Sequence, residues 1–210
     1  MSSEKRKYEL KARAESQEET RRRIIEATAR LHEEVGPART TVSEIARRAG
    51  VNRVTVYNHF PEEIELFGAC QQHFLAEHPL PDFADAFALE DPGKRLRAVL
   101  RALYRSYRDR EPMTANVLRD RTAVPALDAL LAQTMDAQQA ALLDALASAL
   151  RVRGVAAARR TRALLALALD FWTWERLAAE GLSDDEAADA MAQAVTLSRG
   201  TRSPAAHHHE

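Results

Sequence analysis

The run from Thr41 to Pro61 constrains the fold of this chain more than any other stretch. Val42, Ile45, Ala46 and Ala49 recur at i, i+3, i+4 and i+7, which puts one apolar face on a short helix. Thr41 and Glu44 stand at capping-box spacing: the hydroxyl accepts from the third amide and the carboxylate reaches back. Gly50 is free to take the positive φ of a sharp turn, and Val51 plugs the angle between two helices. Asn52 suits the N-cap of a second helix, and Pro61 stops that helix after Phe60. Val56 and Phe60, four apart, turn inward and leave Arg53, Thr55, Tyr57, Asn58 and His59 outward or sideways, all able to hydrogen-bond. Two helices joined by a glycine turn, the second with a polar outer face, is how a helix is presented to the DNA major groove. An ordinary αα-hairpin in a helical core is the alternative. The conjunction of cap, turn, aromatic and proline counts against it.

On these residues the stretch from about Ile24 to Phe67 resembles the DNA-binding domain of the TetR family of transcriptional regulators. The resemblance is carried by Thr40-Thr41, Ile45-Ala46, Ala49-Gly50-Val51 and Tyr57-Asn58-His59-Phe60. Base edges would be read by Arg53, Val54, Thr55 and Asn58, since arginine binds guanine bidentately and valine meets a thymine methyl. The matching family positions assign phosphate contacts to Thr41, Tyr57 and His59, and Asn52 completes the DNA-binding set. Two residues depart from the pattern. Val54 stands where many members carry a small residue, and Glu63 stands where many carry a phosphate-binding lysine. A carboxylate there suits the helix dipole but repels phosphate, so other groups must hold the DNA backbone.

The resemblance further implies a repressor that binds a palindromic operator as a homodimer through its last two helices and is released by a small molecule. The candidate effector residues are Phe74, Tyr104, Tyr107, Asn116, Asp170, Phe171 and Trp172, an aromatic wall with a few polar groups. Asp170 suits a cationic ligand or, more simply, a salt bridge to an arginine. A helical dimerisation protein with weakened or lost DNA binding is the alternative that Glu63 makes conceivable. Enzymatic signatures are missing: the sequence holds no Gly-x-Ser-x-Gly elbow, phosphate loop or His-Glu-x-x-His helix. No catalytic residue, cofactor or metal is expected.

At 210 residues, with 46% hydrophobic content and few glycines, the chain is expected to be all-α. The longest apolar stretch, around Leu164 to Leu169, is too short to span a bilayer. The charged amino end lacks a signal peptide, and the lone Cys70 suits a reducing cytosol. Residues 1–60 hold 13 Lys+Arg against 9 Asp+Glu, while residues 61–210 hold 17 against 22. A basic amino end on an acidic body is the asymmetry expected if one end meets phosphate.

Four segments follow: a basic arm over 1–16, a helix-turn-helix domain over 17–62, a helical ligand-binding and dimerisation domain over 63–203, and a tail over 204–210. Ser16 and Glu19 have capping-box spacing, so the first domain helix is placed from Gln17 to Val35, before Gly36 and Pro37. A fourth helix is expected from Pro61 to Glu77 and a fifth after the Asp91-Pro92 cap. Pro112 and Pro125 open two more, the second reaching Val152; single helices over 156–180 and 183–198 bring the total to nine. Leu164, Leu165, Leu167, Ala168, Leu169, Phe171 and Trp172 are apolar on more than one side, which predicts a helix buried all round. His207-His208-His209 is set aside as tail.

Overall fold

The structure, a computed structural model, describes residues 2–198. The expected tail and its histidines lie outside these residues. All regular structure described is helical. Twelve α-helical segments are present: α1 (Ser2–Glu34), α2 (Val42–Ala49), α3 (Arg53–His59), α4 (Glu63–Glu77), α5 (Ala84–Ala88), α6 (Pro92–Asp109), α7 (Glu111–Asp120), α8 (Pro125–Leu131), α9 (Ala137–Leu150), α10 (Val155–Ala168), α11 (Phe171–Ala179) and α12 (Asp184–Ser198). None of them is long and apolar enough to cross a membrane.

Three expectations need correction. The arm over 1–16 is not separate from the first helix, because α1 begins at Ser2 and runs unbroken to Glu34. No glycine or proline interrupts it, and the expected cap at Ser16 and Glu19 does not form. Ser16 instead accepts from Thr20 Oγ1 through its carbonyl at 2.9 Å, and Glu19 pairs with Arg22 at 2.8 Å. The helix expected over 156–180 is two, broken at Asp170, whose carboxylate accepts from Thr173 N at 2.8 Å and caps α11. Nor is that region buried all round within the chain. Leu165, Ala168, Leu169 and Phe171 are buried, whereas Leu167 is 53% and Trp172 43% exposed.

The chain divides into two compact units. One contains α1–α4 with α7 and α8, and the other contains α5, α6 and α9–α12. In the first unit Ile24, Ala27 and Leu31 of α1 meet Ile45, Ala46 and Ala49 of α2, Val56 of α3, Phe60, and Leu66 and Cys70 of α4. Burial pushes the Cys70 thiol up to about 12, so it packs as a small apolar group. In the second unit α12 lies along α6 and α10, and its Ala187, Ala188, Ala192 and Val195 are buried. A ladder of ion pairs crosses from α6 to α12. Arg97 and Arg101 meet Asp189, Arg105 meets Asp185, and Arg108 meets Asp184, at 3.0–3.1 Å. Trp174 is fully buried beside them and donates its indole N–H to Asp184 at 3.0 Å.

Candidate nucleic-acid interface

Local chemistry starts and ends the two helices α2 and α3. Thr41 Oγ1 accepts from Glu44 N at 3.2 Å and starts α2. Gly50 ends it at φ 65, ψ 39, a left-handed conformation that only glycine takes at low cost, and Val51 N donates back to Ala46 O at 3.0 Å. Asn52 then caps α3, its Oδ1 accepting from Thr55 N at 2.8 Å and from Thr55 Oγ1 at 3.0 Å. Asn52 and Thr55 are therefore bound to each other at the helix start. Val56 and Phe60 are almost wholly buried and pin α3 inward, while Arg53, Val54, Tyr57 and Asn58 are exposed. His59 is half-buried at the last turn.

Charge around this pair is partly consumed. Arg47 pairs with Glu44 at 2.6 Å, and Arg48 reaches both Glu44 at 3.3 Å and Glu34 at 2.6 Å. The Arg47 hydrogen bond, with Arg48 beside it, holds the Glu44 carboxyl down at about 2. Arg53 has no ion pair among the described residues and stands exposed at the first position of α3. Arg23 Nη1 donates to the carbonyl of Ala49 at 3.0 Å, a cationic cap on the negative end of α2.

A second polar cluster fixes the approach to α2. Asn116 Nδ2 of α7 donates to the carbonyls of His32 at 3.1 Å and Glu33 at 2.7 Å, and Arg119 Nη2 donates to Val35 O at 3.3 Å. These are carbonyls that the end of α1 leaves without helical partners. The Asp120 carboxylate accepts from Ala38 N at 3.0 Å in the turn leading to Thr41. Burial opposes its ionisation, but the Arg119 and Ala38 hydrogen bonds prevail and its pKa lies below the usual value. Gly36 has φ 92, and a Cβ there would overlap Arg119 Nη2 and Asp120 Oδ2. His32 is buried against Phe67, ring centroids 5.4 Å apart. Desolvation lowers its pKa to about 4, although Asp120 pulls the other way. Sequence reading missed Arg23, His32, Arg119 and Asp120 as determinants of this geometry. Most of their partners lie distant in sequence and no local motif links them.

The expected effector residues fall into two groups. In the second unit Tyr104, Tyr107, Phe171 and Trp172 follow one another in ring contact, with Tyr107–Phe171 and Phe171–Trp172 centroids 5.4 and 5.1 Å apart, and Tyr107 and Phe171 also meet Trp174. Their polar ends are bound within that unit: Tyr104 and Tyr107 hydroxyls donate to the carbonyls of Ala168 at 2.8 Å and Leu169 at 2.7 Å. Burial, with Tyr107 and Asp170 nearby, raises the Tyr104 pKa. Asp170 serves as the α11 cap already described. Phe74, its ring tilted against His78 with centroids 4.7 Å apart, and Asn116 belong to the first unit. A groove of about 740 Å³ in the second unit is lined by other residues, among them Phe87, Arg95, Ser148 and Arg151.

Comparison with known proteins bears on the same residues. The family described as bacterial regulatory proteins, tetR family, matches residues 24–70. Over 55 residues the chain is 47% identical to the HTH-type transcriptional regulator TtgR of Pseudomonas putida, which covers 26% of each chain. It is 33% identical over 93 residues to the HTH-type regulator AcrR of Shigella flexneri, covering 44% of this chain and 41% of that one. The matched stretches thus span less than half the length of these curated relatives. Across the fold, a tetR-family regulator from Streptomyces coelicolor aligns with TM-score 0.57 at 23% identity, covering 86% of this chain and 80% of that one. NalD of Pseudomonas aeruginosa aligns with TM-score 0.55 at 20% identity, covering 87% and 96%. Residues 24–70 thus match the tetR-family domain, and the fold of the described residues resembles that of solved tetR-family regulators.

Proposed function

We propose that the chain is a ligand-responsive repressor that binds a palindromic DNA operator as a homodimer. The observation that carries this reading is the exposed Arg53–Val54–Tyr57–Asn58 face of α3, set on a helix whose other side is locked by Val56 and Phe60. Such a helix offers base-edge donors, an acceptor and an apolar contact to the major groove. Arg53, Val54, Thr55 and Asn58 are assigned to bases, with the Thr55 hydroxyl bound to Asn52 in the free protein. Thr41, Tyr57 and His59 are assigned to phosphates, and Asn52 to the cap that aims the helix.

Dimerisation is assigned to α10–α12, where Leu167, Trp172 and Leu197 are exposed among small residues such as Ala163, Ala166 and Ala190. A partner's helices would cover these apolar side chains. The effector is assigned to the aromatic cluster of the second unit, with Phe74 and Asn116 as further candidates. NalD, described as the secondary repressor of a multidrug efflux pump, supports repression as the mode of action.

Selection of bound duplexes from a random pool tests the proposal. The enriched sequences should carry an inverted repeat, because two-fold protein symmetry imposes two-fold operator symmetry. A second reading has one observation in its favour: Glu62, Glu63 and Glu65 crowd the start of α4, where phosphate contact is unfavourable. A dimer that enriches no duplex would establish that reading, a helical dimerisation protein that has lost DNA binding.

A further inference from the structure

We infer that Arg21 of α1 is a DNA-phosphate contact of this protein, supplying the cation that Glu63 fails to provide. The inference rests on the DNA-binding reading above. The Arg21 guanidinium lies over the ring of Phe60, 4.3 Å from its centroid, directly after the last turn of α3. No hydrogen bond or ion pair engages it among the described residues, and its Nη1 is buried without an acceptor.

The arginines around it are differently placed. Arg22 is held by Glu19 and Glu26, Arg23 by the Ala49 carbonyl, Arg47 by Glu44, and Arg48 by Glu34 and Glu44. Among the described residues Arg21 is bound only through the face of its guanidinium, by an aromatic ring. That arrangement fixes the plane and leaves the Nε–Nη2 edge, which is not buried with Nη1, for a bidentate anion. Phe60 follows Tyr57 and His59, the residues assigned to phosphate, so the cation sits beside the expected path of the DNA backbone. At the same end of α3 the chain continues into Glu62, Glu63 and Glu65, none of which can serve phosphate. Charge and placement converge on a phosphate oxygen.

The test is a salt titration of the full chain and its Arg21→Gln and Arg21→Lys variants on the selected duplex and on a mixed-sequence duplex. Arg21→Gln should weaken both by about tenfold at low salt and flatten the slope of log affinity against log salt by about 0.9. Arg21→Lys should keep the slope, since it keeps the charge, while losing part of the affinity with the stacked fork. An unchanged slope in Arg21→Gln would overturn the inference and leave Arg21 as packing for Phe60. A wild-type chain that binds neither duplex would instead sink the DNA-binding reading itself.

Discussion

The arginines of α6 and those of the α1–α3 head are the same residue put to opposite uses. On α6, Arg97, Arg101, Arg105 and Arg108 are each met by an aspartate of α12. Arg108 also lies over Trp174, 4.8 Å from the ring centroid. Such paired charge positions two helices against each other and has little left for an outside anion. In the head, among the described residues, Arg53 stands exposed without an ion pair and Arg21 is held only by a ring. The polar groups that fix the head's geometry are mostly others, from Arg23 and Asn52 to the Asn116–Arg119–Asp120 cluster. Where charge is paired inside the molecule it shapes the fold; where it is left unpaired on a rigid helix it is available to a partner.

Four perturbations would break or sharpen this contrast. The largest effect belongs to Gly36→Ala. A Cβ at φ 92 strains the backbone and strikes Arg119 and Asp120, and should cost about 2–4 kcal/mol in urea unfolding. Close behind comes acid sensitivity through His32. Its folded pKa of about 4 lies below the ordinary histidine value of 6.5, so the fold disfavours the protonated ring. The corresponding stability is present above pH 6.5 and is lost as pH falls toward 4, by about 3 kcal/mol at most. His32→Gln should lose that part of the pH dependence, which parallel thermal melts would register. A slope identical in both proteins would show that another group titrates.

Third, Arg53→Ala should cost about 1–3 kcal/mol on the selected duplex, much less on mixed sequence, and little in stability. Equal losses on the two duplexes would make Arg53 a backbone contact. The smallest effect is expected for Arg105→Ala. Both partners of its ion pair are about half exposed or more, so thermal unfolding should move by less than about 0.5 kcal/mol. DNA affinity should not change, and a change would break the contrast between paired and unpaired arginines.

How much of this was legible before the fold was known follows the range of the interactions. Thr41 on Glu44 N, Gly50 in the left-handed turn and Asn52 on Thr55 N are relations within a few residues, and the sequence announces them. Ser183 with Glu186 behaves the same way at the head of α12. Ser16 and Glu19 have identical spacing yet form no cap. A capping box needs a chain that leaves the helix, and nothing before Ser16 forces it to. Asp170 misled in the opposite sense, because a break without glycine or proline leaves no signal beyond the aspartate itself. Of the effector candidates, the four aromatics of the second unit were legible as a group. Asn116 was not legible as a clamp on α1, since His32 and Glu33 lie more than eighty residues away in sequence. Arg21 was hidden for another reason. Its neighbours Arg22 and Arg23 have the same composition and charge, and only the positions of Phe60, Glu19, Glu26 and the Ala49 carbonyl distinguish the three.

The central claim is that the outward face of α3 reads base edges on a protein that also grips phosphate. It is tested most directly by parallel salt titrations of the wild-type chain on a selected duplex and on mixed sequence. Affinity should fall steeply with salt on both, with the selected duplex preferred throughout. Equal affinity for both duplexes, or none for either even at very low ionic strength, would contradict it.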